Sequence, residues 1–200
     1  MSFFLLVACT NETPNTEIVI QETPVEATPE PTIDLEAEKA AIKQVVRNFY
    51  QWHESNAAAD FEVVEKGGKY IAVHRPQVIE RMEALRGSGF IAEDFVTDYK
   101  KIALEINEKL RNGALVYKVG DVPPYGGAGS PWCNCQDAPE KYWETILIED
   151  IEIDENQATL NWKWTADATE NYQVHLINEA ETWKISYLQG FDMNQFFAAI

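Results

Sequence analysis

The chain has 200 residues, six Trp, nine Phe and a formal charge of −17. That length and apolar content suit one domain with a real core. The acidic balance excludes nucleic-acid binding and repels anionic lipid headgroups. The charge is also uneven. Residues 1–33 hold five acids (Glu12, Glu17, Glu22, Glu26, Glu30) and no Lys or Arg, leaving 28 acids against 16 bases, or −12, for the rest.

The chain opens with an apolar run, Phe3-Phe4-Leu5-Leu6-Val7-Ala8, that ends at Cys9. Leu6-Val7-Ala8-Cys9 resembles a bacterial lipobox. The resemblance implies a lipidated Cys9 and a mature chain held on the extracytoplasmic face of a membrane, in the cell envelope. Only Met1 and Ser2 precede the run where a secretory signal carries a basic n-region, so a start upstream of Met1 is also expected. Six apolar residues fall far short of the roughly 20 a spanning helix needs, whereas two acyl chains anchor stably. Residues 10–33 repeat Thr and Pro with a single sign of charge, which cannot form a core. They are expected to be a disordered tether, with a reach on the order of 70 Å in polyproline geometry.

The domain is expected over residues 34–200. Ile42, Val45, Val46, Phe49 and Trp52 recur at three- and four-residue steps, predicting an amphipathic helix over 35–56 with Asp34 as N-cap. A second helix is predicted after Pro76, through Val78, Ile79, Met82 and Leu85, with Gly87-Ser88-Gly89 as its stop. His74 and Arg75 mark only its start. A third is predicted to open with Phe90-Ile91-Ala92-Glu93-Asp94-Phe95 and to stop at Asn112-Gly113.

Residues 120–139 read as loop, and four strand-like runs follow. The first, 142–153, alternates until Glu149-Asp150, where its phase slips and a β-bulge is expected. The second, 158–165, sets Ala158, Leu160, Trp162 and Trp164 on one face. The third groups Tyr172, Val174 and Leu176, and the fourth Trp183, Ile185 and Tyr187. The expected register pairs Trp162 with Val174 and Leu160 with Leu176, then Leu176 with Trp183 and Val174 with Ile185. The turns would be 166–170 and 178–181, and the apolar residues would share one face. Helices followed by a meander predict an α+β fold.

Several stretches carry a further resemblance: Val46-Arg47-Asn48-Phe49-Tyr50-Gln51-Trp52, Ala158-Thr159-Leu160, Tyr172-Gln173-Val174-His175-Leu176 and Glu181-Thr182-Trp183-Lys184-Ile185. Their order and character resemble the nuclear transport factor 2-like (cystatin-like) superfamily. Residues 70–99 and 131–139 are similar to lipoprotein-associated domains of unknown function within it. The resemblance implies helices packed in the concave face of a curved antiparallel sheet, a cone-like fold. That superfamily hosts enzymes and non-enzymatic modules alike, so fold does not decide function.

Enzymes of this kind work inside the cone with ionisable groups. Here His53, Asp98 and Tyr99 are the candidates able to reach it. The aromatic stripe Trp52, Trp162, Trp164, Tyr172, Trp183 and Tyr187 is either the lining of an apolar ligand pocket or filling of the core. His175 falls on the outer face with Gln173. That face is polar except for Ile177 and Leu188, which leaves a homodimer open.

Cys133-x-Cys135 lacks the spacing and partner ligands of a metal site. In an oxidising compartment it is a small-ring disulfide, redox-active or a loop staple, or else two inert thiols. Trp132 beside it suggests that the loop packs down on the sheet. The apolar tail (Phe191, Met193, Phe196, Phe197, Ile200) either folds back or makes a dimer contact. No residue pattern calls for a cofactor or a metal. The leading expectation is a lipid-anchored binding or accessory module for a small apolar ligand or an envelope protein. A hydratase- or isomerase-like enzyme and an inhibitor- or immunity-type lipoprotein are the alternatives.

Overall fold

Asp34 starts the first helix as predicted: its carboxylate accepts from the backbone N–H groups of Glu36 and Ala37, satisfying two donors that the helix itself leaves unpaired. The computed structural model that shows this describes residues 34–123, 125 and 129–198. The apolar run 3–8, Cys9, the tether over 10–33 and Ile200 lie outside the described residues. The chain from Asp34 to Ile200 forms one compact unit.

In chain order the elements are α1 (Leu35–Ser55), β1 (Val63–Lys66), β2 (Lys69–Val73), α2 (Arg75–Gly87), α3 (Glu93–Asn112), α4 (Tyr142–Thr145), β3 (Leu147–Asp154), β4 (Gln157–Lys163), β5 (Tyr172–Glu179) and β6 (Thr182–Leu188). A short 3-10 turn (Gln189–Phe191) and α5 (Met193–Phe196) close the described chain. The fold is α+β: helices with a curved antiparallel sheet of four strands in the order β3-β4-β5-β6, and a separate β1-β2 hairpin. Among the described residues no helix is long and apolar enough to cross a membrane.

Periodicity predicts the three long helices well, because each buries one stripe. α1 buries Ile42, Val46, Phe49 and Tyr50. α3 buries Phe95, Val96, Tyr99, Ile102, Ala103, Ile106 and Leu110, and ends on Gly113 in the left-handed conformation. The sheet's inner face meets them with Leu160, Trp162, Val174, Leu176, Trp183, Ile185 and Leu188, all buried in the same core. Each large apolar side chain so buried contributes about 1.5–3 kcal/mol.

The expected bulge on β3 is present. Glu149 pairs with Asn161 and Glu152 with Thr159, so Asp150 and Ile151 together oppose Leu160, and Asp150 sits at φ +52°. The strand registers differ from expectation by two residues. Trp162 pairs with Tyr172, Leu160 with Val174 and Ala158 with Leu176. A two-residue shift leaves every side chain on its face, so alternation alone cannot choose between them. Stacking of Trp162 on Tyr172 (centroids 5.1 Å apart) accompanies the observed register.

Between β5 and β6 the turn is only Ala180-Glu181, both at positive φ, with Glu179 opposite Thr182. Such two-residue turns match the strand twist. A bulge then shifts the pairing: Leu176 faces Ile185, and His175 faces Tyr187. Tyr187 therefore lies on the outer face, stacked on His175 at 4.5 Å, and Leu188 turns into the core, fully buried. Both were expected on the opposite faces.

Three further differences are local. Residues 90–92 precede α3 instead of opening it. Ala92 N–H donates to the Ile185 carbonyl and Ile185 N–H to that of Phe90, adding a short parallel bridge to the edge strand β6. Tyr142–Thr145 is a helical turn instead of strand, held by the Arg47 guanidinium, which donates to the Trp143 and Ile146 carbonyls. The β1-β2 hairpin was not anticipated. Gly67-Gly68, both at positive φ, between Val63-Val64 and Tyr70-Ile71-Ala72-Val73 is the signal that identifies it.

Candidate functional site

Five segments bring side chains with polar groups together at the core: the last turn of α1 (His53), the bend after it (Asp60), α2 (Arg81), α3 (Tyr99) and the 130s loop (Trp132). Asp60 is the hub. Its Oδ1 accepts from the Tyr99 hydroxyl at 2.8 Å and faces Arg81 Nε at 3.3 Å. Its Oδ2 accepts from the Trp132 indole N–H. The Arg81 side chain is 2 % exposed and that of Asp60 16 %. Arg81 also donates from Nη1 to the Asn56 carbonyl at 3.2 Å, placing a cation at the negative end of the α1 dipole. Its guanidinium carbon lies 5.4 Å from the Trp132 ring and 5.8 Å from the Trp52 ring, within cation–π range.

Burial governs the ionisation of this group. Removal from water pushes the Asp60 carboxyl up, opposed by the Arg81 charge and by the Trp132 and Tyr99 hydrogen bonds. The Tyr99 hydroxyl is pushed well above its ordinary range by burial first and by the neighbouring Asp60 charge second. His53, whose ring lies 4.3 Å from that of Trp132, is lowered to about 3 by desolvation and then by Arg81. It is neutral at physiological pH.

Of the catalytic candidates, Tyr99 belongs to this cluster, and His53 joins it through Trp132. Asp98 does not. It lies on the solvent side of α3, paired with Lys101 at 2.7 Å. Asp60 and Arg81 were missed by sequence reasoning. Arg81 occupies an apolar position of α2 (Val78, Arg81, Met82 and Leu85 are its buried residues), and a charge on that face was the available signal.

The aromatic stripe is mostly core. Trp162 donates to the Tyr50 hydroxyl at 3.1 Å, Trp183 to Glu38 at 2.7 Å, and Tyr172 to the Pro131 carbonyl at 2.6 Å. Trp52 packs on Phe49, and Trp164 packs against Tyr142 and Trp162. Among the described residues a cleft of about 40 Å³ reaches Trp162, Trp164 and Tyr172, too small for a ligand of ordinary size. Tyr187 is on the other face.

The larger opening is elsewhere. A pocket of about 390 Å³ has Asp60 as the one charged residue among the described residues that line it, aromatic walls from Phe61, Tyr125 and Phe196, and polar groups from Ser130 and Gln136. The loop that frames it is drawn inward. Trp132 is buried against Phe49, Phe95 and Phe191, and Cys133 and Cys135 are joined by a disulfide. The tail folds back too: Phe191 and Phe196 are core residues. Among the described residues no group of three His, Cys, Asp or Glu stands close enough to hold a metal ion.

No family model matches the chain, and no curated protein or solved structure is significantly similar to it.

Proposed function

We propose that this chain is a lipid-anchored, extracytoplasmic binding module whose ligand is a small molecule with an apolar body and a hydrogen-bond donor, received in the pocket over Asp60. The observation that carries the reading is the division of labour among the aromatic residues. The stripe on the sheet is consumed by packing, while Phe61, Tyr125 and Phe196 wall an open space that has one carboxylate, Asp60, among its described lining residues. Arg81 offsets the Asp60 charge, so a neutral donor suits the pocket better than a full cation.

The Leu6-Val7-Ala8-Cys9 lipobox and the Thr/Pro/Glu run behind it support the anchor. The order of helices before a four-stranded antiparallel meander supports the nuclear transport factor 2-like reading. Proton-transfer catalysis is the weaker reading. Tyr99 is fully buried and does not line the pocket, whereas Asp60, with three internal donors, keeps one acceptor position for a ligand's donor. A protein partner on the 120–139 loop is also less favoured, since Trp132, its largest side chain, is turned inward.

Native mass spectrometry of the full chain, purified gently from its source cells, tests the proposal. A retained small-molecule mass that disappears in Gln136→Trp, a substitution filling the pocket from an exposed position, is the expected result. A bare protein mass, or a mass that survives Gln136→Trp, refutes it.

A further inference from the structure

One face of α2 carries Arg75, Val78, Ile79 and Met82. One face of α3 carries Lys100, Ala103, Leu104 and Asn107. Both sets follow the three- and four-residue steps that make side chains neighbours along a helix. Together they line a groove of about 330 Å³, at the lower end of the range for small-molecule sites. No lining residue is shared with the Asp60 pocket. Its walls are mainly apolar, yet Ile79 is 56 % exposed and Leu104 49 %. Exposed apolar side chains grouped around a groove and rimmed by charge mark an interaction site.

The charge here is opposite to that of the chain, which carries −17. Arg75 and Lys100 line the groove and no described acid does. Neither cation has a salt-bridge partner among the described residues, whereas Lys101 and Lys109 of the same helix pair with Asp98 and Glu105. Glu93, two turns before Lys100, is taken by Arg86 through two hydrogen bonds. In addition, α2 starts without a side-chain cap or an acid in its first turn, so the positive end of its dipole adds to the same field.

Asn107 supplies a donor. It is 9 % exposed, and its Oδ1 accepts from the Val73 N–H at 3.2 Å. That bond fixes the amide, since a flip would set donor against donor. The free end is therefore Nδ2, which donates to no described residue. It is not among the unpartnered side-chain atoms sealed from water, which are His53 Nε2, Gln77 Oε1 and Arg81 Nη2. Solvent thus reaches Nδ2, and the opening that Asn107 lines is this groove. Its bond to Val73, two residues before Arg75, sets the donor and that cation at one end. Lys100 stands two turns, about 10 Å, along α3.

We infer that the groove between α2 and α3 is a second binding site, for a small monocarboxylate with an apolar chain. The carboxylate accepts from Arg75 and from Asn107 Nδ2. The chain lies along Ile79, Met82 and Leu104 toward Lys100, whose apolar stem covers it while its ammonium stays in water. A cation is repelled by both basic residues, and a neutral chain leaves Nδ2 unpaired. This site stands independently of the Asp60 pocket.

The test is an NMR titration of the full chain with three probes: octanoate, butyrate and octylammonium. Octanoate should give saturable shifts of the Asn107 side-chain NH₂ and of the Ile79 and Leu104 methyl signals. Butyrate should bind far more weakly, and octylammonium should give no such shifts. Asn107→Asp keeps the acceptor for Val73 but turns the donor into a carboxylate, and should weaken octanoate binding about tenfold or more. Arg75→Gln, an exposed change, should weaken it about fivefold and serves if Asn107→Asp fails to fold. Absence of these shifts with octanoate overturns the inference. So does equal binding of butyrate or octylammonium, or unchanged affinity in folded Arg75→Gln. Shifts that appear on raising the protein concentration alone also overturn it, since a second copy then covers the groove.

Discussion

The Tyr99 hydroxyl and Asp60 Oδ1 stand 2.8 Å apart although 39 positions separate them in the chain. The bond ties α3 to the bend that follows α1. Through Asp60 it also reaches Arg81 on α2 and Trp132 in the loop, so one carboxylate joins four segments that share no sequence pattern.

Removing either side of the buried ion pair should be costly. Asp60→Leu leaves the Arg81 guanidinium buried without its counter-charge, and Arg81→Met leaves the carboxylate so. Each should lose about 3–5 kcal/mol of stability in urea unfolding. The double variant should lose less than the sum of the two. Simple additivity would show that the pair does not couple.

His53 should make the protein acid-sensitive. Its folded pKa of about 3 lies below the ordinary 6.5, so below pH 6.5 the unfolded chain takes up a proton that the folded chain refuses. The stabilisation from a neutral His53 is present above pH 6.5 and is lost as pH falls toward 3, by up to about 1.4 kcal/mol per pH unit. Asp60, shifted upward, works in the opposite sense. Comparing wild type with His53→Phe isolates the histidine: the variant's stability should depend less steeply on pH across that window. Parallel profiles would contradict the burial of His53.

Tyr50→Phe should destabilise by about 1–3 kcal/mol, because the Trp162 indole N–H loses its acceptor in a fully buried site. Trp162→Phe in the same background should then cost little through hydrogen bonding, since neither partner remains unsatisfied. Thermal unfolding of the single and double variants separates the two contributions.

Gly190→Ala should be among the most damaging single substitutions. A Cβ there would overlap the Pro131 carbonyl, the same carbonyl that accepts from the Tyr172 hydroxyl, while Gly190 N–H donates to that hydroxyl at 3.1 Å. The backbone of the tail and that of the loop are both held, so neither can yield cheaply. The expected result is loss of soluble, cooperatively unfolding protein. A variant with near-native melting would show that the tail does not pack there.

Periodicity made the three long helices legible, with the Asp34 cap, the Gly113 stop and the slip at Glu149-Asp150. Each of these is a local rule: a stripe every 3.6 residues, a side chain reaching its own helix end, an alternation broken by one residue. The sheet registers were legible only to within two residues, since a shift of two costs nothing in face. Tyr187 and Leu188 were placed on the wrong faces because the bulge opposite His175 and Leu176 leaves no mark in the composition of β6.

The sequence by itself determined the α+β order and the acidic balance, which depend on composition and on residues close together in the chain. Only the tertiary structure decided that the sheet's tryptophans fill the core, and that Asp60, Arg81, Tyr99 and Trp132 form one buried cluster. The physical reason is distance. Burial and hydrogen-bond pairing are set by residues 21 to 72 positions away from Asp60, and a lone acid in a bend looks the same whether solvent or an arginine waits beside it.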